Sequence, residues 1–156
     1  MKIIRSTNEH LVELVSWLSA DNDLFIKQQD KYEYPVTAET FLSDVNFSEL
    51  ISYSLLDDQD NFIGFGQVYL RMGRCQLGRM VVKPELREKG YGKFLLNAMA
   101  QKGCEDLGVD TFSVLVYAKN MHAVKTYKEM DFVLTEYPGG MPFENGLYMV
   151  KARPRS

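Results

Sequence analysis

LGRMVVKPELREKGYG, residues 77–92, leads from an apolar run that ends at Val82 into a helical pattern that begins near Tyr91. Two glycines, Gly90 and Gly92, stand where that helix begins. Glycine lets the backbone approach a ligand closely, and the first turn of a helix offers unpaired N–H groups and the positive end of its dipole. The stretch is therefore a candidate site for a phosphate or a pyrophosphate.

The standard nucleotide motifs do not fit this stretch. A Walker A loop needs Ser or Thr after Gly-Lys, whereas Phe94 follows Lys93, and a GxGxxG fingerprint needs glycine where Leu95 stands. A P-loop enzyme is therefore not supported. A purely structural explanation stays open, in which the two glycines let the loop turn and let the helix pack closely on a sheet.

Composition narrows the class of protein. A chain of 156 residues, 46% of them hydrophobic, predicts one compact domain over residues 1–156. The net charge is −3 with scattered Lys and Arg, so no nucleic-acid partner is expected. No apolar window reaches the length of a membrane span, which predicts a soluble, cytoplasmic protein. Cys75 and Cys104 lack CxxC spacing and predict two reduced thiols with no disulfide and no metal.

The first half of the chain predicts one strand, two helices and three strands. KIIR is a strand, and residues 8–20 carry apolar side chains at helical spacing with Thr7 or Asn8 as the N-cap. A second, short helix is predicted from Thr37 through Val45. LISYSLLD, NFIGFGQVYLRM and RCQLGRMVV predict three antiparallel strands, joined by hairpin turns at DQDN and GR.

The second half predicts a helix over residues 90–107 ended by Gly108, the strand TFSVLVY, a helix over residues 120–130, and the strands FVLTEY and LYMVKA. The predicted order of elements is βααβββαβαββ. A free sheet edge after LYMVKA, together with exposed aromatic side chains, would permit a homodimer.

Residues 77–132 resemble the GNAT superfamily of N-acetyltransferases. Arg87, Gly90 and Gly92 fill that family's acetyl-CoA loop pattern, Arg/Gln-x-x-Gly-x-Gly/Ala. LGRMVVKPEL is similar to the family's strand and Val-x-Pro turn, and NMHAVKTYKEMDF is similar to its Asn-x-x-Ala-x-x-x-Tyr-x-x-x-Gly-Phe motif. The resemblance implies an α/β (α+β) fold, with a mixed, mostly antiparallel sheet of six or seven strands flanked by about four helices.

The resemblance also implies an activity, the transfer of an acetyl group from acetyl-CoA to a primary amine by direct attack. Main-chain N–H groups of the loop would cradle the pyrophosphate, and the pantetheine arm would add beside GRMVV where the strand splays at a bulge. The N–H of Val82 or of its neighbour would meet the oxyanion. The implied cofactor-binding residues are Met80, Val81, Val82, Arg87, Glu88, Lys89, Gly90, Tyr91, Gly92, Lys93 and Asn120.

Tyr127 is the candidate catalytic residue. Its place in an apolar helical stripe with Ala123 and Val124 would explain it as a buried aromatic. The resemblance instead implies that it donates a proton to the leaving thiolate. A thiol with a pKa of roughly 8.5 already leaves fairly well, so donation should contribute about ten- to a hundredfold. Asn120 is explained as an N-cap, and a contact with the cofactor arm is a second possible role.

Two positions depart from the family pattern. Asp131 stands where the second motif has glycine before its phenylalanine, and Asp tolerates a left-handed helix end less well than Gly. Gln76 stands where some branches have a strand glutamate that deprotonates the amine, and an amide cannot act as that base. No base is assigned. The residues considered are Glu33, Asp57, His122 and Glu144.

The acceptor is expected to be a small amine or an amino-acid derivative. The family's acceptor cleft corresponds to the loops DLFIKQQDKYEYP and PGGMPFENG. Their candidate substrate residues, which suit a cationic amine by charge and cation–π contact, are Tyr32, Glu33, Tyr34, Phe143 and Glu144. The alternative is a non-catalytic acyl-CoA-binding sensor or interaction domain, which Gln76 and Asp131 suggest and the retained Tyr127 disfavours.

Overall fold

Seven strands and three α-helices make up the regular structure of the computed structural model, which describes residues 1–20, 49–86, 89–141 and 144–153. The first elements are β1 (Lys2–Arg5), α1 (Asn8–Ala20), β2 (Ile51–Leu56), β3 (Phe62–Arg71) and β4 (Arg74–Val82). A short 3-10 helix (Pro84–Leu86) precedes α2 (Tyr91–Leu107). The last elements are β5 (Thr111–Tyr117), α3 (Met121–Glu129), β6 (Val133–Thr135) and β7 (Gly146–Ala152).

The predicted elements within the described residues are all present. The bounds of β1, α1, β4 and β5 are those predicted, whereas α3 begins one residue later and ends one residue earlier than predicted, and β6 is shorter than FVLTEY. The second helix predicted from Thr37 through Val45 lies outside the described residues. No described helix has the length and apolar character that a membrane span needs.

The seven strands form one mixed, mostly antiparallel sheet in the order β1-β2-β3-β4-β5-β7-β6. Strands β4 and β5 are parallel, and their ladder runs from the Cys75–Phe112 pair to the Leu77–Val114 pair. Strand β7 pairs antiparallel with both β5 and β6. The prediction of a free edge after LYMVKA was therefore wrong, because β6 covers that side of β7. The homodimer stays a prediction.

Two hairpin turns depend on residues with positive φ. Asp60 (φ 64°) lies in the β2–β3 turn, whose N–H groups at Gln59 and Asn61 donate to the Asp57 carboxylate at 2.9 Å. Met72 (φ 54°) and Gly73 (φ 73°) form the β3–β4 turn. Positive φ at both central residues is typical of a type I′ turn, which matches the twist of the flanking strands. The turn predicted at GR is thus displaced by one residue, because Arg74 already belongs to β4.

The chain divides into two compact units, Met1–Gln67 with Arg79–Asn97, and Val68–Gly78 with Ala98–Ser156. In the first unit, Leu14 and Trp17 of α1 pack against Phe62 and Phe65 of β3 and against Val81 of β4. The Trp17 and Phe62 rings stack with centroids 4.5 Å apart. Helix α1 therefore covers one face of β3 and β4 within this unit.

Thr7 is the N-cap of α1. Its Oγ1 accepts a hydrogen bond from the His10 N–H, and the Thr7 N–H donates to His10 Nδ1, both at 3.2 Å. Burial lowers the pKa of His10, which favours the neutral ring that can accept this bond. Thr7 or Asn8 was predicted as the N-cap, and the structure shows that it is Thr7.

Close contact between α2 and β4 in the second unit requires Gly103. A Cβ at this position would lie 2.7 Å from Cys75 Sγ and 3.1 Å from Val68 Cγ1. In the same unit, the rings of Phe112 in β5 and of Phe132 form a T-shaped contact, with their centroids 5.4 Å apart. The buried side chains of this unit therefore pack against a helix backbone with no room for a methyl group at residue 103.

Helix α3 ends in a Schellman motif with Asp131 at its left-handed position (φ 70°). The Phe132 N–H donates to the Tyr127 carbonyl and the Asp131 N–H to the Lys128 carbonyl, each at 3.0 Å. Asp131 thus adopts the conformation that the family's glycine would take at lower cost. The departure at this position leaves the helix end intact.

Replacing Asp131 by glycine should stabilise the protein. We expect Asp131→Gly to raise the free energy of unfolding by about 1 kcal/mol, because glycine adopts a positive φ without steric cost. Urea denaturation followed by circular dichroism measures the change. Glu129→Gly, two residues earlier within α3, is the control and should lower it by about 1 kcal/mol. An unchanged or lower value for Asp131→Gly would contradict this account.

Replacing Gly103 by alanine should destabilise the protein, although alanine is the better helix former. We expect Gly103→Ala to lower the free energy of unfolding by about 1–3 kcal/mol, because the new methyl group would overlap Cys75 and Val68. The double variant Gly103→Ala/Cys75→Ala removes the nearest atom and should be less destabilised than the sum of the two single variants. Simple additivity in urea denaturation would show that the contact does not limit packing.

Candidate active site

Arg79 interrupts the regular backbone of β4. Its φ is +50°, in the left-handed region that a residue other than glycine rarely adopts. A residue in this conformation inside a strand is typical of a bulge, which bends the strand and redirects side chains. The ladder between β4 and β5 ends at the Leu77–Val114 pair, whereas β4 continues to Val82. The irregularity expected in GRMVV thus occurs at Arg79.

Met80, Val81 and Val82 follow the bulge and end the strand. Val81 is buried in the core of the first unit, whereas Met80 and Val82 are half-buried. Directly after them, the Lys83 N–H donates to the Ile63 carbonyl at 2.9 Å. The segment is therefore held by one buried side chain and by a main-chain bond to β3.

The loop between β4 and α2 places a glycine with positive φ next to the helix. Gly90 has a φ of +89°, and the Phe94 N–H donates to its carbonyl at 3.3 Å, which closes the first helical turn. Lys89, Gly92 and Lys93 are exposed, and Tyr91 is half-buried. Arg87 and Glu88 lie outside the described residues.

Gly90 and Gly92 differ in whether the fold itself requires a glycine. Gly90 needs its positive φ for the turn, so the structural explanation accounts for it. Gly92 has no such conformation, and a Cβ there would meet no described heavy atom within 4 Å. Close packing of the helix on the sheet therefore does not explain Gly92. The first N–H groups of α2 lack intrahelical partners and, with the exposed Lys89 and Lys93, suit an anion.

Asn120 and Tyr127 belong to α3 in the second unit. Asn120 is the N-cap, as predicted, because its Oδ1 accepts from the Ala123 N–H at 3.3 Å. Tyr127 is half-buried, and its ring lies 5.3 Å from that of Phe132. Burial raises the pKa of Tyr127, so the phenol keeps its proton at neutral pH. Among the described residues its hydroxyl has no hydrogen-bond partner, and it is free to donate.

Gln76 lies in β4 with only 2% of its surface exposed. Its Nε2 donates to the Tyr69 hydroxyl at 2.9 Å, but its Oε1 has no partner. The hydroxyl of Ser113, the register partner of Gln76 on β5, is also buried and unpartnered. The position of the family's strand glutamate is thus occupied here by a neutral amide in a polar, enclosed environment.

The residues considered as a base are not brought together by the described structure. The Asp57 carboxylate accepts hydrogen bonds within the β2–β3 turn. These bonds lower its pKa, and the bond from the Asn61 N–H has the largest effect. His122 is exposed on α3, and Glu144 is exposed just before β7. Glu33 lies outside the described residues, as do the predicted acceptor residues Tyr32, Tyr34 and Phe143.

The two cysteines do not supply a nucleophile. Both thiols are free and buried in the second unit. Burial, and secondarily the neighbouring Cys104 thiol, raises the pKa of Cys75 to about 12, and burial also raises the pKa of Cys104. Since the thiolate is the reactive form, neither side chain suits a covalent acyl intermediate.

A cavity of about 560 Å³ opens beside α3 in the second unit. The described residues that line it are Ala118, Met121, Val124, Lys125, Lys128 and Glu129, and none of these is a predicted site residue.

Sequence reasoning missed one residue, Arg79. Its guanidinium is half-buried, its Nη1 donates to Gln67 Oε1 at 3.3 Å, and its buried Nε has no partner. The signal was a single arginine inside an otherwise apolar strand end, in GRMVV. The pattern alone did not reveal its conformation or its contact with Gln67.

Comparisons with known proteins identify the family of this chain and show its fold in solved structures. The model of the acetyltransferase (GNAT) family matches residues 12–132. No protein of curated function matches the sequence significantly.

Solved structures show the same fold at low identity. Spermidine N-acetyltransferase from Vibrio cholerae, solved with CoA and spermine, has a TM-score of 0.71 at 15% identity, with 97% of this chain and 95% of that chain covered. The ribosomal-protein-S18-alanine N-acetyltransferase from Escherichia coli has a TM-score of 0.67 at 17% identity, with 99% and 95% covered. A GNAT acetyltransferase from Staphylococcus aureus has a TM-score of 0.66 at 16% identity, with 98% and 99% covered.

The family match extends over most of the chain. It includes β4, the loop with its two glycines, and α3 with the three residues that follow it, up to Phe132. The chain therefore belongs to the acetyltransferase (GNAT) family and is an acyl-CoA-dependent N-acetyltransferase.

Proposed function

We propose that this chain, as a single domain over residues 1–156, transfers the acetyl group of acetyl-CoA to the amine of a small molecule by direct attack. The observation that carries the proposal is Gly92, an exposed glycine in the first turn of α2 that neither backbone conformation nor internal packing requires. A ligand that approaches the backbone closely is the remaining physical reason for a glycine there.

The loop binds the pyrophosphate in this proposal. The N–H groups of residues 90–93 point outward from the first helical turn, and the ammonium groups of Lys89 and Lys93 add positive charge. Arg87 and Glu88, which belong to the same sequence motif, are proposed cofactor-binding residues as well, and the role proposed for Asn120 is a contact with the cofactor arm.

The main chain of Met80, Val81 and Val82 takes the amide-bearing arm of the cofactor as an added strand. The buried side chain of Val81 keeps this backbone in place. The N–H of Val82 or of its neighbour then stabilises the negative charge that develops on the acyl oxygen. Acetyl-CoA supplies the activated acyl group as a thioester.

Tyr127 donates the proton that the leaving sulfur takes up. Its raised pKa keeps the phenol protonated, and its hydroxyl makes no bond to another described residue. The buried Cys75 and Cys104 stay outside the chemistry, which supports a direct transfer. They also support a reducing, cytoplasmic location.

The acceptor is a small amine, which the spermidine N-acetyltransferase among the similar structures supports. As its contacts we propose the loop residues named from the sequence, Tyr32, Glu33, Tyr34, Phe143 and Glu144. Gln76 cannot act as a base, and we assign none; the form of the amine that attacks is the unprotonated one. The rate then rises with pH up to the pKa of the amine.

The test is an assay of CoA release from acetyl-CoA with a panel of small amines and, separately, with lysine-bearing peptides. Amine-dependent release of CoA together with the acetylated amine in the mass spectrum supports the proposal. Transfer to peptides alone would contradict the small-molecule acceptor. Binding of acetyl-CoA without transfer to any amine would favour the sensor, to which the neutral Gln76 also points.

Tyr127→Phe should separate proton donation from binding. We expect the variant to lower kcat about ten- to a hundredfold and to leave the affinity for acetyl-CoA unchanged, because only the hydroxyl is lost. Steady-state kinetics with a limiting chemical step measures the first, and calorimetry the second. Tyr137→Phe, at a buried tyrosine of the same unit whose ring packs against Tyr148, is the matched control and should retain full turnover. Unchanged turnover in Tyr127→Phe would refute the role of the hydroxyl.

A further inference from the structure

Arg79 has a charged side chain that the described structure does not pair with a carboxylate. Arg79 is half-buried, and among the described residues its side chain makes one hydrogen bond, from Nη1 to Gln67 Oε1 of β3 at 3.3 Å. Its Nε is fully enclosed and has no partner. A buried N–H of a cation without an acceptor is costly, and such a group in a native protein needs an explanation.

The position of this guanidinium is fixed by two strands. Gln67 is fully buried in β3, and its Nε2 donates to Ser52 Oγ of β2 at 2.9 Å. The amide oxygen of Gln67 is therefore aimed at Arg79 rather than free to rotate. The chain Ser52, Gln67 and Arg79, all in the first unit, holds the guanidinium at one place.

The bulge adds a backbone cost to this arrangement. Arg79 keeps a φ of +50°, a conformation that costs an L-residue about 1–2 kcal/mol. Such outliers persist where the surrounding structure or a function requires them. Here the conformation redirects the Arg79 side chain immediately before Met80, Val81 and Val82, the segment that we propose to bind the acyl-bearing arm.

The edge of the guanidinium away from Gln67 is shaped for a carboxylate. With Nη1 bound to Gln67, the Nε–H and the adjacent Nη2–H remain as a parallel pair of donors, and neither has a partner among the described residues. Because Nε is enclosed, a carboxylate reaches this edge only when the side chains that cover it move aside. A carboxylate accepts two such bonds at once, and arginine is the residue best shaped for this recognition. A second ammonium group, as in a polyamine, would instead be repelled.

On these grounds, and resting on the function proposed above, we propose that Arg79 binds a carboxylate of the acceptor, so that the substrate is an amine that also carries a carboxylate, as an amino acid does. Arg79 is the specificity-determining residue. Gln67 positions it. Residues 79 and 80 are adjacent, so Arg79 directly precedes the segment that we propose to bind the acyl-bearing arm.

The first test compares acceptors that differ by one carboxylate. Each amino acid is assayed beside the amine left by its decarboxylation: alanine with ethylamine, ornithine with putrescine, lysine with cadaverine, and tyrosine with tyramine. We expect kcat/KM for the preferred amino acid to exceed that of its partner by about tenfold or more. Equal values in every pair, or a preference for the diamines, would overturn the proposal.

The second test changes Arg79 and a matched arginine. Arg79→Gln should remove the preference by raising KM for the amino acid, while kcat/KM for the decarboxylated partner stays unchanged. Arg79→Lys keeps the charge without the paired donors and should retain part of the preference. Arg71→Gln, at an exposed residue of β3 whose guanidinium lies over the Tyr69 ring, is the control and should leave both values unchanged. An equal loss for both members of a pair in Arg79→Gln would contradict a contact with the carboxylate.

A binding experiment decides the inference even if no amine is acetylated, an outcome that would refute only the function proposed above. N-acetylated amino acids and the matching N-acetylated amines are titrated by calorimetry into protein saturated with CoA. We expect an N-acetylated amino acid to bind the unaltered chain about tenfold or more tightly than Arg79→Gln, and its matching amine to bind both equally. No saturable binding of any carboxylate-bearing probe, or equal binding to both proteins, would overturn the role of Arg79.

Discussion

The left-handed conformation of Arg79 in the middle of β4 is the constraint on which the site depends. Before it, β4 is a regular strand whose residues from Cys75 to Leu77 form the parallel ladder with β5. After it, three residues with a buried Val81 lead into the loop and α2. A strand without this interruption would direct different side chains and main-chain groups to each face, because side chains alternate along a regular strand. One unfavourable φ thus sets the orientation of the residues proposed to bind both substrates.

The two glycines of the loop show how one motif combines a structural and a functional requirement. Gly90 has the positive φ that starts α2, whereas Gly92 leaves open space beside the first helical turn. In the function proposed above, the two glycines therefore serve different requirements, one of the backbone and one of the ligand. Asp131 offers a contrast. It has a positive φ at the end of a helix, at a position where the family pattern has glycine, and the chain tolerates its side chain there. A helix end tolerates that cost, whereas a backbone that a ligand approaches closely leaves less room for a side chain.

Local patterns predicted most of the fold, and the errors occurred where long-range contacts decide. The apolar spacing in residues 8–20, the glycine after Leu107 and the N-cap at Asn120 are local signals, and each element lies where they indicated. The pairing of β6 with β7 is not encoded in either strand alone, so the free edge expected beside β7 was wrong. The site shows the same division. The loop and Tyr127 were recognised from motifs, whereas the bond between Arg79 and Gln67 joins residues of two strands, and no spacing rule predicts it.

The central claim is that the turn from Gly90 to Gly92 binds the pyrophosphate of acetyl-CoA. Isothermal titration calorimetry of the purified protein with acetyl-CoA, and with ATP and NAD in the same buffer, tests it most directly. The account predicts saturable binding of acetyl-CoA, no heat from ATP or NAD, and a clear loss of affinity in Gly92→Val, whose side chain would occupy the open space at the helix start. Absence of acetyl-CoA binding, or equal binding by Gly92→Val, would contradict it.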